Sequence, residues 1–431
     1  MQPRPTDIVN GESRDTSMIG NDRIEPVQTK PGRASSSSPS WFCTAVVAFA
    51  TLNVVFLTIA ALGGSWIFDR HQRIVPVDFV SFWTTGRMLQ TGPAAEIYDW
   101  VRHRAAEIEL MGDRDTRRYL WHNPPVFLLA VAPLAFLPYA TAYVAWLGAT
   151  FAAYAATIRL ILPHIHLPRI VMGAVGFPGS LWTAVTGQNG FLTAALFGGT
   201  LLLIDKRPIA AGILLGLLTY KPQFGILFPL VLVATGRWMV FGAAALTTLV
   251  LFIVTASAFG FDTWIAFWRS IAVTQKAILA DGIMGTNKLQ SFYGVALWST
   301  GSTMVAWTIQ ALVTTASAAG ALWAWRSEIS PDLKAAAMGI AVLLATPYIL
   351  IYDLPVLSIP MAFLIRFAGH RGVSASDAAV LVTACVLVFI FPMVMIPTGL
   401  LAQILVAGLV IRHVLDEHAC RSAPTAVRLA G

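Results

Sequence analysis

Charge is what this 431-residue chain has least of. Asp, Glu, Lys and Arg make up 12% of it, about half of the roughly 25% usual in soluble domains. With 56% hydrophobic residues and a mean hydropathy of +0.69, the chain is excluded from the soluble class and reads as one that threads a membrane many times. Cysteine is scarce: Cys43, Cys385 and Cys420 lie far apart in or beside apolar segments, so neither a disulfide framework nor a C-x-x-C metal site is read, and their use is structural. Nucleotide, dinucleotide and zinc-protease signatures are absent as well: no G-x-x-x-x-G-K-[ST], no G-x-G-x-x-G after a strand, no H-E-x-x-H. No cofactor and no metal are therefore expected, and nucleotide-driven pumping is disfavoured. His164 and His166 lack a nearby carboxylate or Cys and read as a helix end. The net charge of +7 records the bias of cytoplasmic loops toward Lys and Arg, not a nucleic-acid partner.

What is present is a series of apolar segments with punctuation. Residues 1–40 are polar and end in SSSSPS, a disordered cytoplasmic tail. Residues 41–68 form the first membrane crossing. Residues 69–121 are the long charged interior region; RHRAAEIELMGDRDTRR alternates in sign, which suits solvated, partly helical structure on the outer membrane surface. Further spans are expected near 125–138, 140–161, 190–204, 209–220, 224–234, 239–260, 304–325, 335–351, 354–367, 378–391 and 396–411, about 12 in all. Several fall short of the roughly 20 residues of a straight span and require shielding by protein. Lys206, Arg207, Arg237, Arg326, Lys334, Arg366, Arg371, Arg412, Arg421 and Arg428 then share one side, with both termini cytoplasmic. Residues 170–186 break this parity, so they are expected to re-enter from the outer side. The expected fold is an all-α polytopic bundle, with a membrane domain over 41–412 and a cytoplasmic tail over 413–431.

On that topology the polar residues left in the apolar part gather at the outer side, where each is a candidate for function. They are Asp78 and Arg87, Tyr98 and Asp99, His122 and Asn123, Gln188 and Asn189, Lys221 and Gln223, the run Asn287, Lys288, Gln290 and Ser291, and Tyr348, Tyr352 and Asp353. Asp78, in VPVDFVSFWTTG, fits either a helix cap or a general base that accepts an alcohol proton. Lys221 precedes Pro222, which breaks the helix; it reads either as a snorkelling lysine or, because it runs against the charge bias, as the partner of an anion such as phosphate. Asp353, between Pro347 and Pro355, is a cap or a contact to sugar hydroxyls, Lys221 or Arg87. Gln188 and Asn189 cap the next helix or hydrogen-bond a sugar.

The ordered segments DFVSFWTTGRMLQTGPAAEIYD, HNPPVFLLAVAPLAFLPYATAYVAW, TGQNGFLTAALFGGTLLLIDKRPIAAGILLGLLTYKPQFGILFPLVLV, LQSFYG and TPYILIYDLPVL resemble glycosyltransferase family 87 of the GT-C superfamily, over residues 78–353. The resemblance implies a GT-C bundle and inverting transfer of a sugar, typically mannose, from a polyprenyl-phosphate donor to a glycan or glycolipid hydroxyl outside the cytoplasm, in a membrane such as the bacterial inner membrane. It maps the catalytic base of the first outer loop onto Asp78. Lys221 and Arg87 become the candidates for the donor phosphate, and Tyr98, His122, Asn123, Gln188, Asn189, Gln223, Asn287, Gln290, Tyr348, Tyr352 and Asp353 those for sugar or acceptor. Some relatives carry a His-containing motif where this chain has Tyr352 and Asp353. The alternative class is a secondary transporter or a flippase of lipid-linked sugars, although no internal repeat of transporter type is found.

Overall fold

The computed structural model describes residues 38–111, 121–275, 288–369, 372–394 and 396–422. The expected tail over 1–40 thus falls almost wholly outside the described residues, as do Asn287, Arg371 and Arg428. Helices dominate. The order is α1 (Ser40–Leu62), α2 (Phe79–Thr91), α3 (Trp100–Met111), α4 (Leu128–Val131), α5 (Tyr139–Ile161), α6 (Leu167–Gly176), α7 (Pro178–Thr186), α8 (Gly190–Leu203) and α9 (Pro208–Leu217). It continues through α10 (Phe228–Ala234), α11 (Trp238–Phe259), α12 (Phe261–Gln275), α13 (Phe292–Thr300), α14 (Thr303–Arg326), α15 (Pro331–Ala345), α16 (Ser358–Ala368), α17 (Ala375–Val394) and α18 (Thr398–Ser422). Among the described residues there is no strand, and two isolated bridges join residues 66, 68 and 74.

Seven helical segments are long and apolar enough to cross a membrane alone, and five apolar helices are shorter. Prolines set many starts, standing at the first turn of α6, α7, α8's successor α9, and α15, where a missing N–H costs nothing. Of the short apolar helices α8 is shielded as expected, most of its residues being buried, whereas α6, α9 and α10 are not: Leu167, Ile209, Ile213, Leu230 and Val233 are exposed on them.

The charged side chains divide the bundle into two ends. At one, Asp205 pairs with Arg237, Asp332 with Arg366, Asp377 with Arg412 and His413, and Glu417 accepts the Ser330 amide. These pairs tie the starts of α11, α15 and α17 to the ends of α8, α16 and α18, so among the described residues the basic side chains grouped by the positive-inside count share one end, Arg371 and Arg428 lying outside those residues. At the other end lie the α7–α8 turn, the end of α9 and the start of α18.

The path between these ends corrects three expectations. First, α1 stops at Leu62, six residues before the expected limit, where Gly63 and Gly64 end the helix; the following loop is wound around Asp69, whose carboxylate accepts the amides of His71 at 2.8 Å and Arg73 at 2.9 Å. Second, residues 170–186 are not re-entrant. They form α6 and α7, stacked end to end alongside α1: Val175 meets Asn53, Trp182 meets Phe56, and the end of α7 reaches Phe79 and Tyr143. The segment that begins and ends on one side is instead 125–138, whose short turns pack on α2, with Trp83 Nε1 donating to Leu137 O at 3.1 Å. Hydropathy reports length, not direction, and the two segments exchange places without changing the parity. Third, α18 continues to Ser422, through the first half of the expected C-terminal tail.

Within 69–121, of which residues 112–120 lie outside the described residues, α2 departs from a solvated surface loop. Phe79, Val80 and Phe82 of α2 are fully buried, with Phe79 edge-on to Tyr143 at 4.8 Å and Phe82 to Phe127 at 5.2 Å. Burying each of these rings contributes about 1.5–3 kcal/mol. In α3, His103 and Glu107 are buried, and His103 Nε2 lies 3.1 Å from Thr85 Oγ1. Aromatic density there marks core, not interface.

α1 itself faces outward. Its buried residue is Asn53, whose amide donates to the Val175 carbonyl at 2.7 Å, beside the break at Phe177 and Pro178 where α6 leaves carbonyls without helical partners.

Candidate active site

Asp78 occupies the cap position of α2 but does not cap it, since its side chain makes no bond to the first-turn amides. Its carboxylate instead accepts a hydrogen bond from Gln188 Nε2 at 3.2 Å. The capping reading of Asp78 is therefore not realised in the structure, and the oxygen atoms point toward a different element.

That element is the turn Gly187–Gln188–Asn189–Gly190 between α7 and α8. Gly187 has φ +70°, and a Cβ there would meet Phe79 Cβ at 2.5 Å. At Gly190 a Cβ would stand 2.0 Å from the Tyr352 carbonyl. The two glycines thus let the turn enter the space between α2 and the 3-10 turn Ile351–Leu357, a close approach that a side chain would prevent. Asn189 is fully buried, and neither its Oδ1 nor its Nδ2 has a hydrogen-bond partner among the described residues. A buried amide left so costs stability. Asn189 does not cap α8.

Lys221 sits between two 3-10 turns, Leu218–Tyr220 and Pro222–Phe224. Its ammonium is ion-paired to Asp353 Oδ1, and both side chains are buried. Asp353 Oδ2 accepts the Leu350 amide at 3.1 Å, so this carboxylate both caps its turn and binds Lys221, two of the roles its sequence context allowed. Lys221 Nζ is 5.6 Å from the centre of the Tyr352 ring. The Tyr352 phenol lies in the field of both Asp78 and Asp353, which joins the two carboxylates into one neighbourhood. Thr183 Oγ1 donates to the Tyr352 carbonyl at 2.9 Å, and the Tyr220 and Thr193 hydroxyls meet at 2.6 Å beside Asn189.

The fold therefore brings Asp78, Gln188, Asn189, Lys221, Tyr352 and Asp353 together, with Gln223 half-buried two residues beyond Lys221. It does not bring Arg87 there. Arg87 Nη1 donates to Ala135 O at 3.3 Å, and its guanidinium lies 5.8 Å from the Trp83 ring centre; nine residues of helix separate it from Asp78, about 13 Å. Tyr98 donates to the Asn123 carbonyl at 2.9 Å and packs on Phe267, next to half-buried His122. Asp99 caps α3 by accepting the Val101 amide. Gln290 is consumed by packing: its Oε1 accepts the Gly399 amide at 2.8 Å and its Nε2 donates to Lys288 O at 3.0 Å. Ser291 caps α13. Tyr348 joins Tyr293 and Trp307 in a ring cluster in which both phenol oxygens lack a hydrogen-bond partner. Thr183, Thr193 and Tyr220 were not singled out from sequence, although Tyr220 directly precedes Lys221.

Chemically, the site holds a carboxylate that accepts the Gln188 amide, a buried cation, and the orphan amide of Asn189 in the same turn as Gln188. Such a set can take a proton, face an anion and read a hydroxyl. Among the described residues no group of three or more His, Cys, Asp or Glu is placed to hold a metal ion.

A model of glycosyltransferase family 87 matches residues 121–347. No curated protein and no solved structure matches the chain. The family match spans Gln188, Asn189 and Lys221, and its limits leave Asp78 on one side and Tyr352 and Asp353 on the other. Covering more than half of the sequence, it shows that the chain belongs to glycosyltransferase family 87.

Proposed function

From that membership we propose that this multi-pass membrane glycosyltransferase moves mannose from a polyprenyl-phosphate donor to an acceptor hydroxyl on a glycan or glycolipid, with inversion at the anomeric carbon. The observation that carries the reading is the Asp78 carboxylate, turned away from its own helix toward Gln188 and into the neighbourhood of Lys221.

In the proposed step Asp78 accepts the proton of the acceptor hydroxyl as its oxygen attacks C1. The bond between C1 and the phosphate oxygen breaks on the opposite face, its electron pair leaves with polyprenyl phosphate, and the new glycosidic bond has the inverted configuration. Lys221 offers its charge to the departing phosphate, whose oxygens exchange with the Asp353 carboxylate. Gln188 holds Asp78, and the Asn189 amide hydrogen-bonds a sugar hydroxyl. Arg87 lies outside this neighbourhood, so the phosphate falls to Lys221. The step uses no metal or cofactor. The site end is opposite the basic end, which supports an active site on the periplasmic or outer face of a bacterial inner membrane, with the tails in the cytoplasm.

The test is release of polyprenyl phosphate by the purified chain in vesicles supplied with polyprenyl-phosphate mannose and a membrane glycolipid extract. Mannosylated product and free polyprenyl phosphate are expected in equal amounts. Passage of the intact donor across the bilayer with no release would favour the flippase reading instead.

A further inference from the structure

At the basic end, α14 and α18 both pack against α15 but diverge from each other. Their last turns meet again at one contact, the edge of Trp323 on the His418 ring, with centres 5.2 Å apart. Between them is a cavity of about 670 Å³ lined by Leu322, Trp323, Arg326, Glu328, His418 and Arg421. Nothing in the transfer chemistry uses it.

Its charges are those of an anion site open to lipid. Arg326 lines the cavity and is exposed, and its Nε donates to Ala234 O at 3.4 Å. Arg421 Nη2 pairs with Glu417 at 2.5 Å along the helix and is half exposed. Lys334 lies in the field of both Arg421 and Glu328. Arg237 and Asp205 share that field, so four cations stand against three carboxylates, an excess of one that suits a phosphodiester monoanion more than a phosphate dianion. Trp323 is 42% exposed at the end of a 24-residue apolar helix, the depth at which indoles mark the headgroup layer. The outward face of α14 above it is apolar or small, through Leu312 and Gly320, and a Cβ added at Gly320 would touch nothing within 4 Å. A chain can therefore run from the cavity along α14.

We propose that this cleft binds an anionic phospholipid of the phosphatidylglycerol type, with its phosphodiester between Arg326 and Arg421, its glycerol under Trp323 and an acyl chain along α14. Basic pockets between helix ends on the cytoplasmic side suit such headgroups. The site is independent of the sugar-transfer reading.

The test is lipid titration of the delipidated full chain in detergent, followed by native mass spectrometry, with phosphatidylglycerol, phosphatidylcholine and inorganic phosphate as probes. Saturable binding of phosphatidylglycerol over phosphatidylcholine is expected. The double variant Arg326→Gln/Arg421→Gln should bind it about 30-fold more weakly, each cation near an anionic headgroup contributing about fivefold. Arg421→Lys should keep binding within a few-fold, and lipid-free melting temperatures should match the parent, since both arginines are exposed. Unchanged affinity in the double variant, equal binding of phosphatidylcholine, or displacement of the lipid by equimolar inorganic phosphate would each overturn the proposal.

Discussion

Lys221 and Asp353, separated by 132 residues in the chain, form an ion pair whose side chains are 7% and 4% exposed. A pair this deep is a cost of desolvation that the fold accepts, and removing one member strands the other. Lys221→Met alone is expected to destabilise the protein by about 3–5 kcal/mol. The double change Lys221→Met/Asp353→Leu should recover most of that loss and still fail to bind the donor. Unfolding in micelles and donor titration measure the two effects. Donor affinity equal to the parent's in the stable double variant would remove Lys221 from phosphate recognition.

Asp78→Asn retains an oxygen for the Gln188 amide and sacrifices no helix cap, so its melting temperature should stay within a few degrees of the parent's. Transfer should fall by about 10²–10⁴-fold, the usual contribution of a positioned base. A variant within tenfold of parental turnover would show that the proton goes elsewhere.

Gly190→Ala places a methyl 2.0 Å from the Tyr352 carbonyl. The α7–α8 turn must then back away from the 3-10 turn, at a cost of about 1–3 kcal/mol. Transfer should drop with it, because Asn189 and Tyr352 lose their spacing. The check is activity per folded molecule, and full activity would mean that this spacing is immaterial to the reaction.

Gln290 belongs to packing, not to substrate. Gln290→Ala leaves the Gly399 amide without its acceptor, worth about 1–3 kcal/mol. Melting should fall while the donor KM stays constant; the reverse pattern would restore Gln290 to the substrate.

Asp69 is held at about 2, chiefly by the Arg73 amide, with the Arg73 side chain and the His71 amide adding to it. A carboxyl lowered in the folded state favours folding above its unfolded value near 4, and that contribution disappears as pH falls through about 2. Carbon-detected NMR of labelled Asp should therefore show a midpoint near 2 for residue 69, and the loop leading to Asp78 should keep its amide protection at pH 3. A midpoint at the ordinary carboxylate value would mean that the Asp69 turn is not formed.

Much of the helical plan could be read from Pro, Gly and apolar length. The spans expected near 140–161, 190–204, 239–260 and 304–325 lie within a residue or two of α5, α8, α11 and α14. Charge grouping also anticipated the basic end, because loops carry the arginines that pair there. Direction was not readable: 125–138 and 170–186 have similar apolar lengths, and what tells them apart is tertiary contact with α2 and α1. The surface-lying expectation for α2 misjudged Phe79 and Phe82, since rings at an interface and rings in a core have the same composition. Asp78, Lys221 and Asp353 were visible as charges out of place. A contact of Asp353 with Lys221 was one of the alternatives the sequence offered, but the bond from Gln188 to Asp78 and the orphaned amide of Asn189 were not readable, because such pairings depend on three-dimensional closure.

The amide of Asn53 has a consequence for how this chain is assembled in the bilayer. With 6% of its apolar window buried, α1 docks through the hydrogen bond from Asn53 to Val175, more than 120 residues later in the chain, and through Phe56 on Trp182 and Phe49 on Phe389. All of these partners follow α1 in the chain, so its docked position is completed only once α6 and α7 are in place, where the junction carbonyl of Val175 accepts the Asn53 amide. The first helix is in this sense a latch, and its timing belongs to the partners that come after it.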